Sequence, residues 1–437
     1  MRLASRFLPA FHLALFVCVL AQAGHSQDFT LRRAIDLAMT HSSATGVAEA
    51  DVLHSRATYR EARSFYIPQV SAGTNLGYAY GFPLSLEGAA PTIFNVSAQS
   101  GLFNLAQRQF IRAASFDKQA SSSQSRDVRG RVTLDVVSSY MELDRWEREL
   151  PVLYAERKVT RDMLRAVKER VQEGVDAPVE ETKTRLKAAQ ADYRVAQAEG
   201  SVDILRHHLA ELTGVPAASV QSIASSIPAL PQIDKQAPDP EPAVESNEAV
   251  QAADLRAQSA ELRARGEHKA LYPSADVAIQ YGLISTTFTN YAQFFRPGSF
   301  QNENVTFGVI FRLPILDDTQ RARAQAADAD ALKAKKQAQS TRTKMSGEAL
   351  RLRDAVRELS ASRDVAQVQY ELAQTQLQAA QARMQARTAS LRELQDASLQ
   401  AVQDSAALMD SDFATQNAQL QLMYTTGDLD AWLKTAK

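Results

Sequence analysis

Three patterns in the chain could carry chemistry, and each reads more simply as structure. Ser115-Phe116-Asp117-Lys118 matches the S-x-x-K pattern of a serine nucleophile with a nearby lysine. Four-residue matches of this kind arise often by chance, and the motifs that accompany it in penicillin-binding enzymes are missing. His207, His208 and Glu211 offer metal-ligand donors, but on a charged helical stretch they read as surface residues. Gly77 and Gly81 match G-x-x-x-G, which has a packing meaning on a helix and none in a strand. No phosphate-binding loop or nucleotide fingerprint is present. The expectation is no enzyme, no catalytic residue, no metal and no cofactor.

The only cysteine, Cys18, sits in a segment with the grammar of a secretory signal: Arg2 and Arg6, an apolar run Leu13–Leu20, then Ala21-Gln22-Ala23. Residues 1–23 are expected to be removed after Sec-type export, leaving a chain without thiols. Leu15-Phe16-Val17-Cys18 faintly resembles a lipidation signal, with Val17 bulky where a small residue is expected. The 49 basic and 50 acidic residues give a net charge of −1, which excludes the basic footprint of a nucleic-acid binder. No later window is apolar enough for a spanning helix. A membrane passage after export would therefore have to be made by β-strands in a closed barrel.

Two kinds of segment must position whatever the chain does. The first alternates with a period of two, as strands do. Gln69–Phe82 puts Val70, Ala72, Leu76, Tyr78 and Tyr80 on one face, and Phe94–Leu102 follows after a breaker-rich loop, Pro83–Ile93. Ala275–Phe288 alternates Val277, Ile279, Tyr281 and Leu283 with smaller or polar residues, and Glu303–Leu313 alternates Val305, Phe307, Val309, Phe311 and Leu313. The loop between them, Thr289–Asn302, carries Phe294, Phe295 and then Arg296-Pro297-Gly298. A tilted membrane-crossing strand needs ~9–11 residues, so these are long enough. Four strands cannot close a membrane barrel, whose smallest examples have about eight, so several chains must share one.

The second kind of segment is rich in Ala, Leu, Gln, Glu, Arg and Lys, the strong helix formers. It covers about 105–212 and 320–424, two expected helical hairpins. Helices of about 60 residues would reach roughly 90 Å at ~1.5 Å per residue, more than a globular core requires. The halves repeat. Gly214 aligns with Gly427 at an offset of 213 (427 − 214), which also pairs Phe103 with Leu316 and Arg170 with Arg383. The expected organisation is a first repeat over 24–214, a connector over 215–246 holding six of the fifteen prolines, and a second repeat over 247–437.

At this point the sequence resembles the TolC-type outer-membrane factors. The marks are Phe29-Thr30-Leu31-Arg32-Arg33-Ala34-Ile35-Asp36-Leu37-Ala38, Tyr66-Ile67-Pro68-Gln69-Val70-Ser71, Arg170-Val171-Gln172-Glu173-Gly174, Leu209-Ala210-Glu211-Leu212-Thr213-Gly214 and Leu313-Pro314-Ile315-Leu316-Asp317, in that order along a duplicated chain. The resemblance implies a mixed α and β membrane protein built from a duplicated β-hairpin plus long helical hairpin. Four strands per protomer would complete a twelve-stranded trimeric β-barrel in outer-membrane lipid, continued by a periplasmic α-helical barrel. It implies a homotrimer that docks onto a periplasmic adaptor (membrane fusion) protein and an inner-membrane pump or secretion transporter, as the passive duct of an efflux or type I secretion system. Energy would come from those partners.

The resemblance also implies site residues. Glu393 and Asp396 stand where relatives carry an acidic pair at the closed entrance, and three copies would form an acidic ring favouring cations. The same two residues on a solvated helix face would have no such role. Arg170, Gly174, Arg383 and Arg387 mark the hairpin tips expected to dock the adaptor. Arg387 departs from the family, which places a glycine there as Gly174 does in the first half. Two alternatives stay open: a periplasmic coiled-coil scaffold, and a trimeric surface adhesin without transport activity.

Overall fold

The computed structural model describes residues 28–81, 91–231, 244–386 and 388–434. The expected signal segment 1–23 with Cys18, most of the 83–93 loop, the middle of the connector and Arg387 lie outside the described residues. Helices α1 (Leu31–His41) and α2 (Ser43–Ser64) lead into strands β1 (Gln69–Asn75) and β2 (Thr92–Phe103), then into the long helices α3 (Leu105–Gln172) and α4 (Pro178–Thr213). Short 3₁₀ turns at Ala217–Ser219 and Ala224–Ser226 precede the second pass. There α5 (Glu248–Lys269), β3 (Ser274–Ile284), β4 (Glu303–Arg312), α6 (Asp318–Gln385) and α7 (Leu391–Thr426) follow, closed by α8 (Leu429–Leu433).

The duplication extends to single hydrogen bonds. Helices α3 and α4 recur as α6 and α7 at an offset of 213 (318 − 105), whereas α2 recurs as α5 at 205 (248 − 43). The eight-residue difference lies in the second β-hairpin. Where the sheet passes into each long helix, Asn104 caps α3 by accepting from the Gln107 N–H (3.0 Å), and the Gln107 amide donates back to the Ala62 carbonyl (2.6 Å). Asp317 caps α6 from the Gln320 N–H (2.8 Å), and the Gln320 amide donates to the Glu267 carbonyl (2.9 Å). Each cap satisfies an orphan donor at the helix start, and each glutamine fastens the long helix to the one preceding the sheet.

The four strands form one antiparallel sheet in the order β1-β2-β3-β4, so β2 and β3 join the two halves and β1 and β4 present unpaired edges. Two strand lengths correct the sequence reading. The strand expected over 69–82 ends at Asn75, because the Ala79 N–H turns to the Phe288 carbonyl (3.0 Å) in the second-half loop and Ala79 bridges Thr289. The strand expected over 275–288 ends at Ile284, where the Ser285 hydroxyl accepts from the N–H groups of Thr287 (3.3 Å) and Phe288 (3.4 Å) and folds the chain into a turn.

The long helices pack by small residues at coiled-coil spacing. Along α4 from Thr184 to Leu209 the buried positions are Thr184, Ala188, Ala191, Val195, Ala198, Val202, Leu205 and Leu209, stepping alternately by four and three. Along the last third of α6 they are Ala366, Ala373 and Ala380, a heptad of alanines. A 3.5-residue repeat keeps one seam against a neighbour only if the helices supercoil to the left. The main apolar core lies where the chain ends and the connector meet α3. Leu31, Val136, Val137, Tyr140, Leu143, Leu209, Val220, Leu420 and Trp432 pack there. The Tyr140 hydroxyl donates to the Phe29 carbonyl (2.7 Å) and accepts from the Ile223 N–H (2.8 Å), and the Trp432 indole donates to the Ala229 carbonyl (3.1 Å). Among the described residues no helix is long and apolar enough to cross a membrane.

Candidate functional site: the sheet faces and the helical tips

The strand register sorts the sheet into two chemically different faces. One carries the cross-strand rows Ala72–Val96–Tyr281–Val305, Val70–Ala98–Ile279–Phe307 and Phe103–Ala275–Phe311. Val70, Val305, Phe307 and Phe311 on it are exposed. The other face carries Gln69–Gln99, Ser71–Ser97–Gln280–Thr306 and Asn95–Gly282–Asn304. Across it the hydroxyls of Ser71 and Ser97 meet at 2.8 Å. At one end of this face the guanidinium of Arg312 approaches Asp276 at 3.5 Å. A sheet with an apolar outside and an amide- and hydroxyl-lined inside is suited to stand between lipid and water.

At the far end of the long helices the two hairpins turn by the same hydrogen bonds. In the first tip the N–H groups of Val175 and Asp176 donate to the Arg170 carbonyl (2.8 and 3.3 Å). Gly174 there takes the left-handed φ of +73°. In the second tip Thr388 and Ala389 donate to the Arg383 carbonyl (2.8 and 3.2 Å), the same pattern 213 residues on. The Arg170 guanidinium closes on Asp176 through two bonds (2.8 and 3.1 Å). That contact holds the Asp176 carboxyl below its ordinary range and raises Arg170.

Glu393 lies in the first turn of α7 and Asp396 in the second, on one face by their three-residue spacing. Ser390 caps this helix from the Glu393 N–H (3.2 Å). Neither carboxylate stands alone. Arg383 meets Glu393 at 2.6 Å, and Lys187 of α4 meets Asp396 at 2.6 Å. A further bridge, Arg392 to Glu180 at 2.6 Å, also ties the second tip to the first, and Lys183 shares Glu180 at 3.1 Å. Lys183 and, behind it, Arg392 hold the Glu180 carboxyl below its usual value. Lys187 and Glu180 escaped the sequence reading. The repeat offset could have found two positions here, since it lays Glu180 on Glu393 and Lys183 on Asp396.

Behind the tips lies a buried ionic layer. Arg194 bonds Glu156, whose carboxylate shares a cavity of about 100 Å³ with Lys187 and Asp396. Further along α3, Arg145 contacts Asp410 of α7 and lies 3.6 Å from Glu149. Burial raises the carboxyls of Glu149 and Glu156 and lowers Arg145.

The patterns set aside in the sequence do not assemble into sites. His208 bonds Asp135 of α3 (3.0 Å) and His207 faces the Asp203 carbonyl (2.7 Å). Lys118 lies over the Tyr59 ring, 4.8 Å from its centroid. Among the described residues no group of three His, Cys, Asp or Glu is placed to hold a metal.

Residues 34–215 match the family model described as outer membrane efflux protein. No curated protein matches the chain. Solved structures match it along nearly its whole length. The outer membrane protein VceC of Vibrio cholerae is 18% identical, with 91% of this chain and 96% of that one covered at a TM-score of 0.74. The Campylobacter jejuni CmeC outer membrane channel is 16% identical, covering 92% and 87% at 0.76. The open state of the Neisseria gonorrhoeae MtrE outer membrane channel is 18% identical, covering 92% and 89% at 0.72. The expected fold class, with its four-stranded sheet and paired helical hairpins in each protomer, is the fold of these channels. The chain thus matches the outer membrane efflux protein model over residues 34–215, and its two halves together take the fold of an outer-membrane channel protomer.

Proposed function

We propose that three copies of this chain join β4 of one to β1 of the next, closing twelve strands into a barrel in the outer membrane, and that their helices continue it as a duct across the periplasm. The observation that carries this reading is the four-stranded sheet with two open edges, apolar on one face and polar on the other. Closure removes the open edges, which would otherwise template aggregation. The polar face then lines the passage and the apolar face meets lipid. The periplasmic end receives cargo from an adaptor protein and an inner-membrane pump or secretion transporter, with the tips around Arg170, Gly174, Arg383 and Arg387 as the docking surface. Glu393 and Asp396 ring the constriction there. A soluble scaffold would gain nothing from an exposed apolar row such as Val305, Phe307 and Phe311, and an adhesin would gather its four strands at the C-terminus, whereas here they form two hairpins separated by α3, α4 and α5.

The test is to extract the chain from the outer-membrane fraction and reconstitute it in planar bilayers. A detergent-resistant trimer giving discrete current steps is expected. A soluble, electrically silent monomer overturns the reading.

A further inference from the structure

We infer that Lys187 and Arg383 are counterions of the constriction, neutralising Asp396 and Glu393 so that this duct does not select cations and admits anionic cargo. The inference rests on the duct reading above and adds a specificity to it.

The acidic pair was expected to form a ring favouring cations. Instead each carboxylate has a cation of its own protomer at 2.6 Å, Lys187 on Asp396 and Arg383 on Glu393. An ion pair that close is a dipole at the scale of the Debye length, ~8 Å at physiological ionic strength, and a passing ion beyond that distance meets almost no net field. The remaining tip charges do not restore a negative potential. Residues 170–187 carry Arg170, Lys183, Arg185 and Lys187 against Glu173, Asp176, Glu180 and Glu181, and so balance. Residues 383–396 carry Arg383, Arg387 and Arg392 against Glu393 and Asp396, leaving one positive charge per protomer and three per trimer.

The pairs are exposed enough to be felt by an ion and too exposed to matter much for folding. Lys187 and Asp396 are 35% and 51% accessible, Arg383 and Glu393 55% and 40%. Such pairs contribute ~0–1 kcal/mol to stability, so their charges can be altered without unfolding the tip. Their position fits a specificity role. Lys187 comes from α4 and Asp396 from α7, so the neutralising charge reaches the acidic pair from the other hairpin.

The experiment is the reversal potential of the reconstituted full-length trimer in a KCl gradient. The native channel is expected to show a K⁺/Cl⁻ permeability ratio near one. Lys187→Gln with Arg383→Gln uncovers the acidic pair and should raise that ratio at least roughly three-fold, as expected where local potentials reach a few kT. Glu393→Gln with Asp396→Asn should shift it the opposite way, toward Cl⁻. The conservative pair Lys187→Arg with Arg383→Lys keeps both charges and should leave the ratio unchanged, which a merely structural role for these side chains does not explain. A native channel already strongly cation-selective, or a glutamine double variant that conducts with an unaltered ratio, overturns the inference while leaving the duct intact. Absence of current from native protein overturns the duct reading and this inference together.

Discussion

Arg145 of α3 contacts Asp410 of α7, 265 residues away in sequence, while its guanidinium lies face-on to Trp146 at 3.9 Å from the ring centroid. The contact bolts one helical hairpin to the other in a place where Arg145 and Glu149 are both buried. Removing the arginine would strand the Glu149 carboxylate in a low-dielectric site. Arg145→Ala is therefore expected to destabilise the chain by about 3–5 kcal/mol, the range for breaking a buried pair from one side. Removing both buried charges with Arg145→Met and Glu149→Leu should cost far less. Thermal unfolding of the detergent-solubilised protein compares the two, and equal losses would show that the charge is not what is being stranded.

Gly266 of α5 faces the Phe110 ring of α3, and a Cβ at that position would come within 2.5 Å of it. Gly266→Ala should therefore overpack the contact and destabilise by about 1–3 kcal/mol. Adding Phe110→Leu should return most of the loss. Lowered thermal midpoints of the single variant and recovery in the double one are the readout.

The sheet-to-helix joints should behave alike in the two halves because they are built alike. Asn104→Ala and Asp317→Ala each remove an N-cap and should each cost about 1 kcal/mol. The two sites lie on different hairpins, so the double variant should lose the sum. A large departure from additivity in denaturant or thermal unfolding would mean that the joints communicate through the sheet.

Tyr424 is pushed up to about 12 by burial, with its hydroxyl donating to Asp127 (2.7 Å). Its folded value lies above the ordinary 10, so its contribution to stability is complete below pH 10 and is lost as pH rises from there to about 12. Alkaline unfolding should begin in that window. Tyr424→Phe should remove this component of the pH dependence, and an unchanged alkaline limb would assign the loss to other groups.

Much of the architecture was readable because it is periodic. Alternation at period two placed all four strands, and the pairing of Gly214 with Gly427 located two left-handed helix caps, φ +72° and +85°. What could not be read depends on partners distant in sequence. The early end of β1 follows from the Ala79 hydrogen bond to Phe288, and no local feature of residues 76–82 announces it. The acidic pair was visible as Glu393 and Asp396, but Lys187 lies 209 residues before its partner and on another helix. The acidic charges were thus legible, whereas the partner from the other hairpin was not.

The eight extra residues of the second β-hairpin have a consequence for symmetry. Helices α3 and α6 both span 68 residues, and α4 and α7 both span 36. In the trimer proposed above the helical wall would therefore be nearly hexagonal, each protomer contributing two almost interchangeable staves. At the sheet end that equivalence stops. There the second-half loop bearing Tyr291, Phe294, Phe295 and Phe300 is held to Ala79 and Gly81 of the first half through Phe288 and Asn290. A body approaching that proposed trimer from outside would meet three identical aromatic loops, while one approaching from the periplasm would meet six similar tips.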